Sequence, residues 1–599
     1  MRRKNVRFMA DFETTTELND CRVWASCWVD IDQVYTENHG NTLQIHNSIK
    51  PFFDYFSSLE GEHHCYFHNL KFDGMFILDY LLRNGFTYDD NLKKEKTFNT
   101  MITNEKIFYQ IKIRFSDIKE KHYNVNNRNY KKKRCILVIK DSLKKIPLKV
   151  SQTAKAYNIE ESKLEIDYTA KRDLNHMLTD EERDYVANDV IIMAKAMNQM
   201  FNEGMERLTL SSDAMNDFKL KLAKGNEKHK EKVFRQYFPC LIQIADDYIR
   251  NAYKGGYTYT NPKYQGEVVG CGLVYDVNSL YPSRMQQCPL PYGVPKYFQG
   301  EYEFTPTHPL FIQHIKCSFM IKDGHLPTVQ IKGNSRFSDT EYLTECESVQ
   351  EFYFTSVDLK LFFEHYHVFD LEYIDGFMFR SRVGFFDEYI NYWGYIKQTS
   401  TGGKRQLAKL MLNSLYGKFA SSTSGTMKEP FLNEEGQMKF ESVEHEEREP
   451  VYTALACFVT AWARDLMIRS AQSCYDRFLY CDTDSLHVLD FEIPNIDIHP
   501  DRIGAWKCEG VFSKAKYLRA KTYLETFYTI DGKMIECPSL VDNANGEKTE
   551  VKCAGMPENV KSHVTYDNFK TGAVFGGKLM PKTVKGGVVL IEKDFTIKN

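Results

Sequence analysis

The first apolar block, Val6 to Phe12, has the short β-branched and aromatic character of a strand. It carries Asp11, and Glu13 lies two positions further on. Tyr66-Phe67 ends a second strand, polar turn residues follow at His68 and Asn69, and the spacing from Met75 to Leu82 predicts a helix. A 3.6-residue period runs from about Asp180 to Met200. Beyond about residue 210 the pattern changes. An apolar run from Gly272 to Tyr275 leads into Asp276, a helical pattern begins near Lys404 and reaches Gly417, and a second apolar run leads into Tyr480-Cys-Asp-Thr-Asp-Ser485. Strands alternating with helices predict an α/β (α+β) chain in which strand ends deliver carboxylates.

At 599 residues the chain exceeds what one hydrophobic core usually organises, so several domains are expected. A 42% hydrophobic share makes pervasive disorder untenable. No run approaches the ~20 apolar residues that span a bilayer, and the charged start leads straight into a strand, so neither a membrane segment nor a signal peptide is expected. The 15 cysteines lack paired metal or redox spacing, which fits reduced thiols. Lys plus Arg number 78 against 81 Asp plus Glu, so net charge is silent about nucleic acid. Local basic clusters remain at Lys93, Lys94 and Lys96, at Lys131 to Arg134, at Lys144 and Lys145, and from Lys514 to Lys521. His63, His64, Cys65 and His68 concentrate metal-ligand types, but their strand context does not bring i and i+4 positions together.

Asp11 and Glu13 share a strand face, Asp73 sits near a helix start, and Tyr185 and Asp189 are one helical turn apart. Four acids with a tyrosine suit two-metal phosphodiester hydrolysis, with the phenol a donor that can orient water. The second constellation is Asp276-Val277-Asn-Ser-Leu-Tyr281-Pro, then Lys409-Leu-Met-Leu-Asn413-Ser-Leu-Tyr416-Gly, then Asp482 and Asp484. Lys409, Asn413 and Tyr416 form one helical stripe, with Leu410, Met411, Leu412 and Leu415 turned inward. Tyr253-Lys-Gly255-Gly256 reads as a tight turn with a cation, and Lys521-Thr-Tyr523 as two residues on one strand face.

The first set resembles the 3′→5′ exonuclease motifs of proofreading DNA polymerases. DxxSLYP, the Lys409 helix and YxDTDS resemble polymerase motifs A, B and C of family B. Together, in order over nearly the whole chain, they are similar to the protein-primed polymerases of small tailed phages, the phi-twenty-nine group. The resemblance implies a ribonuclease H-like exonuclease domain (1–209) and a right-hand polymerase. Its expected parts are palm (210–287 and 453–553), insertions (288–384 and 421–452), fingers (385–420) and thumb (554–599).

It further implies two Mg²⁺ ions at Asp276, the Val277 carbonyl and Asp484, supported by Asp482. Two more belong at Asp11, Glu13, Asp73 and Asp189, with Lys163 and Tyr185 beside them and Mn²⁺ an alternative metal. Tyr281, Lys397, Arg405, Lys409, Asn413 and Tyr416 are expected at the dNTP. His68, Asn69, Phe72, Phe76, Ser142, Leu143, Tyr253, Gly255, Gly256, Lys521 and Tyr523 are expected at DNA, both primer-template and single strands. A terminal priming protein, strand displacement and work in the cytoplasm of an infected bacterium complete the expectation. An RNA-primed family B polymerase shares every catalytic motif, and an exonuclease with a DNA-holding C-terminal half is the other alternative. The family's lysine before the fingers tryptophan is Tyr392 here. Neither the basic segment 117–134 nor the expected polar loop 538–549 has a functional reading.

Overall fold

A computed structural model describes residues 6–36, 39–124, 127–168, 170–174, 176–330 and 342–598. The side chains of 39 and 119–132, including Lys131 and Lys132 of one basic cluster, also lie outside that description.

The N-terminal part is built on an eight-stranded mixed sheet. Its strand Arg7–Thr14 buries Phe8, Ala10 and Phe12 and leaves Asp11 and Glu13 half-buried on the other face. That strand runs antiparallel to Val23–Asp30 and parallel to Gly61–Phe67, which is also parallel to Cys135–Asp141. The helix Asp180–Asn202 packs across the first two strands. Its start is locked by a reciprocal cap: Thr179 Oγ1 accepts from the Glu182 amide, and the Glu182 carboxylate accepts from the Thr179 amide.

The C-terminal part centres on a nine-stranded sheet. In it Thr258–Thr260, Phe478–Asp482, Ser485–Leu489, Gly272–Val277, Trp506–Arg519 and Thr522–Ile530 lie side by side. The helix Thr453–Ser473 joins its core through Met467, Ile468 and Ala471, beside Leu273, Cys481 and Leu486. A four-stranded sheet lies between Leu290 and Arg382. Two helices, Asp387–Thr399 and Gly402–Ser414, form a hairpin whose tip touches the N-terminal part, where Lys404 pairs with Glu203 at 3.6 Å. The hairpins Met427–Leu432/Met438–Val443 and Val574–Val584/Gly587–Thr596 complete the chain.

Three local expectations are corrected. The helix expected from Met75 spans Leu70–Arg83, because Asn69 takes a left-handed conformation (φ 73°) and turns the chain early; Asp73 therefore lies in the first turn and is not a cap. The helix through Tyr416 breaks at Leu415. Ser414 Oγ donates to the Leu410 carbonyl at 2.6 Å, a back-bond that bends helices, and Tyr416 opens a separate turn, Tyr416–Phe419. In 538–549 a 3₁₀ turn, Pro538–Asn543, leads into the strand Gly546–Cys553, which pairs with Thr522–Ile530 and is no loop.

Candidate active sites

The first carboxylate cluster lies where the strand Arg7–Thr14 meets two helices. Asp11 and Glu13 come from the strand, Asp73 from the helix Leu70–Arg83, and Asp189 with Tyr185 from Asp180–Asn202. Burial and the neighbouring Asp189 push the Asp11 carboxyl up to about 7. Burial, followed by Asp11, raises Glu13 and Asp73 well above the ordinary range. Lys163 Nζ donates to Asp189 Oδ2 at 2.9 Å, and the Tyr185 and Tyr168 hydroxyls lie 2.5 Å apart. Asp73 Oδ1 and Asp189 Oδ1 are buried without a hydrogen-bond partner. Buried carboxylate oxygens that repel one another and lack donors fit hard divalent cations.

Beside this cluster, His68 bonds Ser142 Oγ (3.0 Å) and the Leu148 carbonyl (2.7 Å), and burial lowers its pKa. Asp141, which sequence reasoning missed, accepts from the backbone amides of Asn69, Leu70 and Leu143 through one oxygen. A carboxylate with a short polar reach at a strand end is the only signal that pointed there. Asn69 and Phe72 open onto a cavity of about 560 Å³ shared with Lys71, Lys106 and Lys439. Phe76 does not open with them: it is 2% exposed, and a Cβ on Gly587 would stand 2.4 Å from its ring. Leu143 is half-buried and Ser142 fully buried. Of the basic clusters, Lys145 is buried in an ion pair with Asp213 at 2.6 Å and offers no free charge. His63, His64 and His68 turn to separate partners, so the ligand-rich segment forms no shared site.

The second cluster sits on the central sheet. Asp276 pairs in register with Ser485, and the Val277 amide donates to the Asp484 carbonyl at 2.8 Å. Thr483 (φ 65°) and Asp484 form the two-residue turn between Asp482 and Ser485, so the hairpin brings Asp484 beside Asp276. Burial and Asp484 push the Asp276 carboxyl up to about 7, while burial and Asp482 raise Asp484. Asp482 is already held by Lys521 Nζ at 2.6 Å and Thr258 Oγ1 at 3.1 Å. The pair Asp276 and Asp484 therefore carries the unrelieved charge, and it suits a divalent cation for the same reason as the first cluster.

Lys521 does not lie on the strand with Tyr523. It occupies the preceding turn with φ 56°, its amide donating to the Tyr480 hydroxyl, and Tyr523 packs 4.9 Å from the Tyr480 ring. Tyr281 opens the helix Leu280–Gln287 and stacks on Tyr416, with 4.1 Å between centroids. Tyr253 packs against the same core. Gly256 must lack a side chain, since a Cβ there would stand 2.8 Å from the Tyr281 hydroxyl and 3.0 Å from Thr483. Arg464, 1% exposed, holds this turn by donating to the Lys254 and Gly255 carbonyls while Asp358 pairs with its other nitrogens. No local motif announced Arg464, because its partners are far away in sequence.

Lys397 and Arg405 line a cavity of about 470 Å³ together with Ser279 and Lys507. Burial and the neighbouring Lys409 lower the Lys397 pKa. Arg405, Lys409 and Asn413 follow one exposed helix face while Leu407, Ala408, Met411 and Leu412 are buried; Leu410, expected inward, is half-buried. Lys507, opposite Asp276 in the sheet register, is a further cation that the motifs did not indicate.

Residues 58–503 match the family "DNA polymerase type B, organellar and viral". The chain is 44% identical over 599 residues to the DNA polymerase of Bacillus phage B103, covering 99% of both chains. It superposes on Phi29 DNA polymerase complexed with primer-template DNA and incoming nucleotide substrates at a TM-score of 0.89 with 40% identity, covering 99% of this chain and 100% of that one. The structure of the same polymerase complexed with single-stranded DNA matches with the same values.

Proposed function

Because the chain belongs to the type B DNA polymerases of organelles and viruses, we propose that its two carboxylate clusters are separate catalytic centres, one extending DNA and one removing misincorporated ends. The observation that supports this most directly is the duplication of one electrostatic design: buried carboxylates, raised by one another, on the two sheets that organise the chain. We assign palm, fingers and thumb as the sequence boundaries have them, with the exonuclease domain over 1–209, the fingers over 385–420 and the thumb over 554–599.

In the polymerase centre the Asp276 and Asp484 carboxylates with the Val277 carbonyl would hold Mg²⁺, or Mn²⁺ in its place. Such cations lower the pKa of an attacking 3′-hydroxyl and offset charge at the reacting and departing phosphate oxygens. Asp482, tied to Lys521 and Thr258, positions the hairpin. Lys397, Arg405 and Lys409 would meet the triphosphate, Asn413 and Tyr416 its nucleoside side, and Tyr281 the sugar. Tyr253, Gly255, Gly256, Lys521 and Tyr523 would follow the primer-template. In the exonuclease centre Asp11, Glu13, Asp73 and Asp189 would hold the cations, Lys163 would fix Asp189, and Tyr185 would orient the hydrolytic water. A single-stranded end would reach it along Asn69 and Phe72, over a floor made by His68, Ser142 and Leu143.

Asp11→Ala with Glu13→Ala should abolish primer degradation and leave extension, and Asp484→Ala should do the reverse; degradation and extension of one labelled primer measure both. Loss of both activities in both folded variants would refute two centres. Protein priming, strand displacement and action in an infected bacterium belong to the same proposal, supported by the two insertions and the near-full-length similarity to phage polymerases. Deleting about residues 325 to 375 should impair protein-primed initiation and strand displacement more than gap filling. Equal loss in all three assays would reject that role.

A further inference from the structure

The hairpin Met427–Leu432/Met438–Val443 docks on the edge of the N-terminal sheet. Thr103 bridges to Met427, Thr100 Oγ1 donates to the Lys428 carbonyl at 3.2 Å, and Phe108 packs edge-on to Phe440. At one end of this seam three metal-ligating side chains from three different segments converge. Asp90 follows the edge strand Thr87–Tyr88, Glu429 lies on the hairpin's first strand, and His445 follows its second. Among the described residues this is the one group of three or more such side chains whose donor atoms all lie within 4.8 Å of one another. Neither catalytic cluster gathers its carboxylates so closely.

The surroundings add negative charge to the cluster. Glu429 stands directly across the ladder from Glu441, and like charges facing each other on adjacent strands destabilise a hairpin. Burial and then Asp90 raise the Glu429 carboxyl above its ordinary value, against which His445 acts in the opposite sense. His445 Nε2 is buried and makes no hydrogen bond, although an imidazole nitrogen removed from water ordinarily finds a partner. The cluster thus sets an imidazole with an unbonded ring nitrogen beside two carboxylates.

We propose that Asp90, Glu429 and His445 bind one divalent transition-metal ion of the zinc type, which fastens the hairpin to the N-terminal domain. One imidazole and two carboxylates make a mixed nitrogen and oxygen set that suits Zn²⁺ or Co²⁺, whereas Mg²⁺ takes oxygen donors and retains water. A structural ion joining segments this far apart in sequence stabilises the docked hairpin by its binding free energy.

The test is Zn²⁺ titration of metal-free, full-length protein in a large excess of Mg²⁺, comparing the parent with His445→Ala and with Asp90→Asn. The parent should bind one more Zn²⁺ per chain than either variant, with the affinity of that site falling at least ~100-fold on loss of a ligand. Zn²⁺ should also protect the hairpin of the parent from trypsin and not that of the variants. Asp90→Asn keeps the side-chain shape, so a folding failure of His445→Ala leaves the comparison intact. Equal Zn²⁺ binding by parent and variants overturns the site. No DNA or activity enters the measurement, so that result would leave the two catalytic centres standing.

Discussion

Tyr281 is the residue at which the polymerase reading can be tested most sharply. Its ring is pinned from one side by Tyr416 at 4.1 Å and its hydroxyl lies over Gly256, so it has little freedom to move aside. A rigid ring under the sugar excludes a 2′-hydroxyl by overlap, and smaller residues should admit it. Tyr281→Val should raise ribonucleotide incorporation relative to deoxyribonucleotide incorporation while extension from dNTPs largely persists; an unchanged ratio of the two kcat/KM values rejects the assignment. Asp276 allows a second test. Its folded-state pKa of about 7 stands above the ordinary 3.8, so between those values the folded protein holds a proton that the unfolded chain has lost, and stability falls as pH rises. In metal-free protein Asp276→Asn should therefore gain stability over the parent as pH increases from about 4 to about 7, with no further gain above that window. Mg²⁺ should shrink the difference. Thermal unfolding across pH measures it, and a difference that does not change with pH rejects the buried-charge account.

At the scale of elements, what the sequence made legible was the set of strands and helices whose periodicity is local. The strand Arg7–Thr14 and the helix Asp180–Asn202 stand where alternation and spacing place them. Asp276 and Asp482 could be read because they sit at strand ends, and Asp189 because it lies one helical turn after Tyr185. The errors have a common physical origin in single residues that redirect the backbone. Asn69 and Lys521 adopt positive φ and Ser414 bonds back to its own helix, and none of these leaves a trace in hydrophobic period. Phe76 differs: the place at DNA that the resemblance implied for it is covered by the distant strand Gly587–Thr596. Arg464 and Asp141 were invisible because their importance lies in the backbone groups they hold, and those partners are known only once the chain has folded.

At the scale of the whole molecule, the N-terminal part, the hairpin Met427–Leu432/Met438–Val443 and the C-terminal hairpin close on one another. Arg83 donates to the Gly436 carbonyl at 2.6 Å, Gln437 bridges to Lys585, and Gly586 lies so close to the Cys21 carbonyl that a Cβ would stand 2.3 Å from it. The 560 Å³ cavity beside Asn69 and Phe72 is lined by all three parts. On the path proposed for a single strand past Asn69 and Phe72, such a closure would release the strand only by sliding or by separation of the hairpins. The Gln437–Lys585 bridge makes this testable, because residues paired across antiparallel strands have Cα atoms within disulfide range, roughly 4.5–5.5 Å. Gln437→Cys with Lys585→Cys, oxidised before DNA is added, should fail to load on a primed circular single strand. Oxidised after loading, the same protein should keep extending that circle when excess competitor DNA is present, and reduction should restore exchange in both cases. Normal loading on circles by the cross-linked protein would show that template does not pass through this closure.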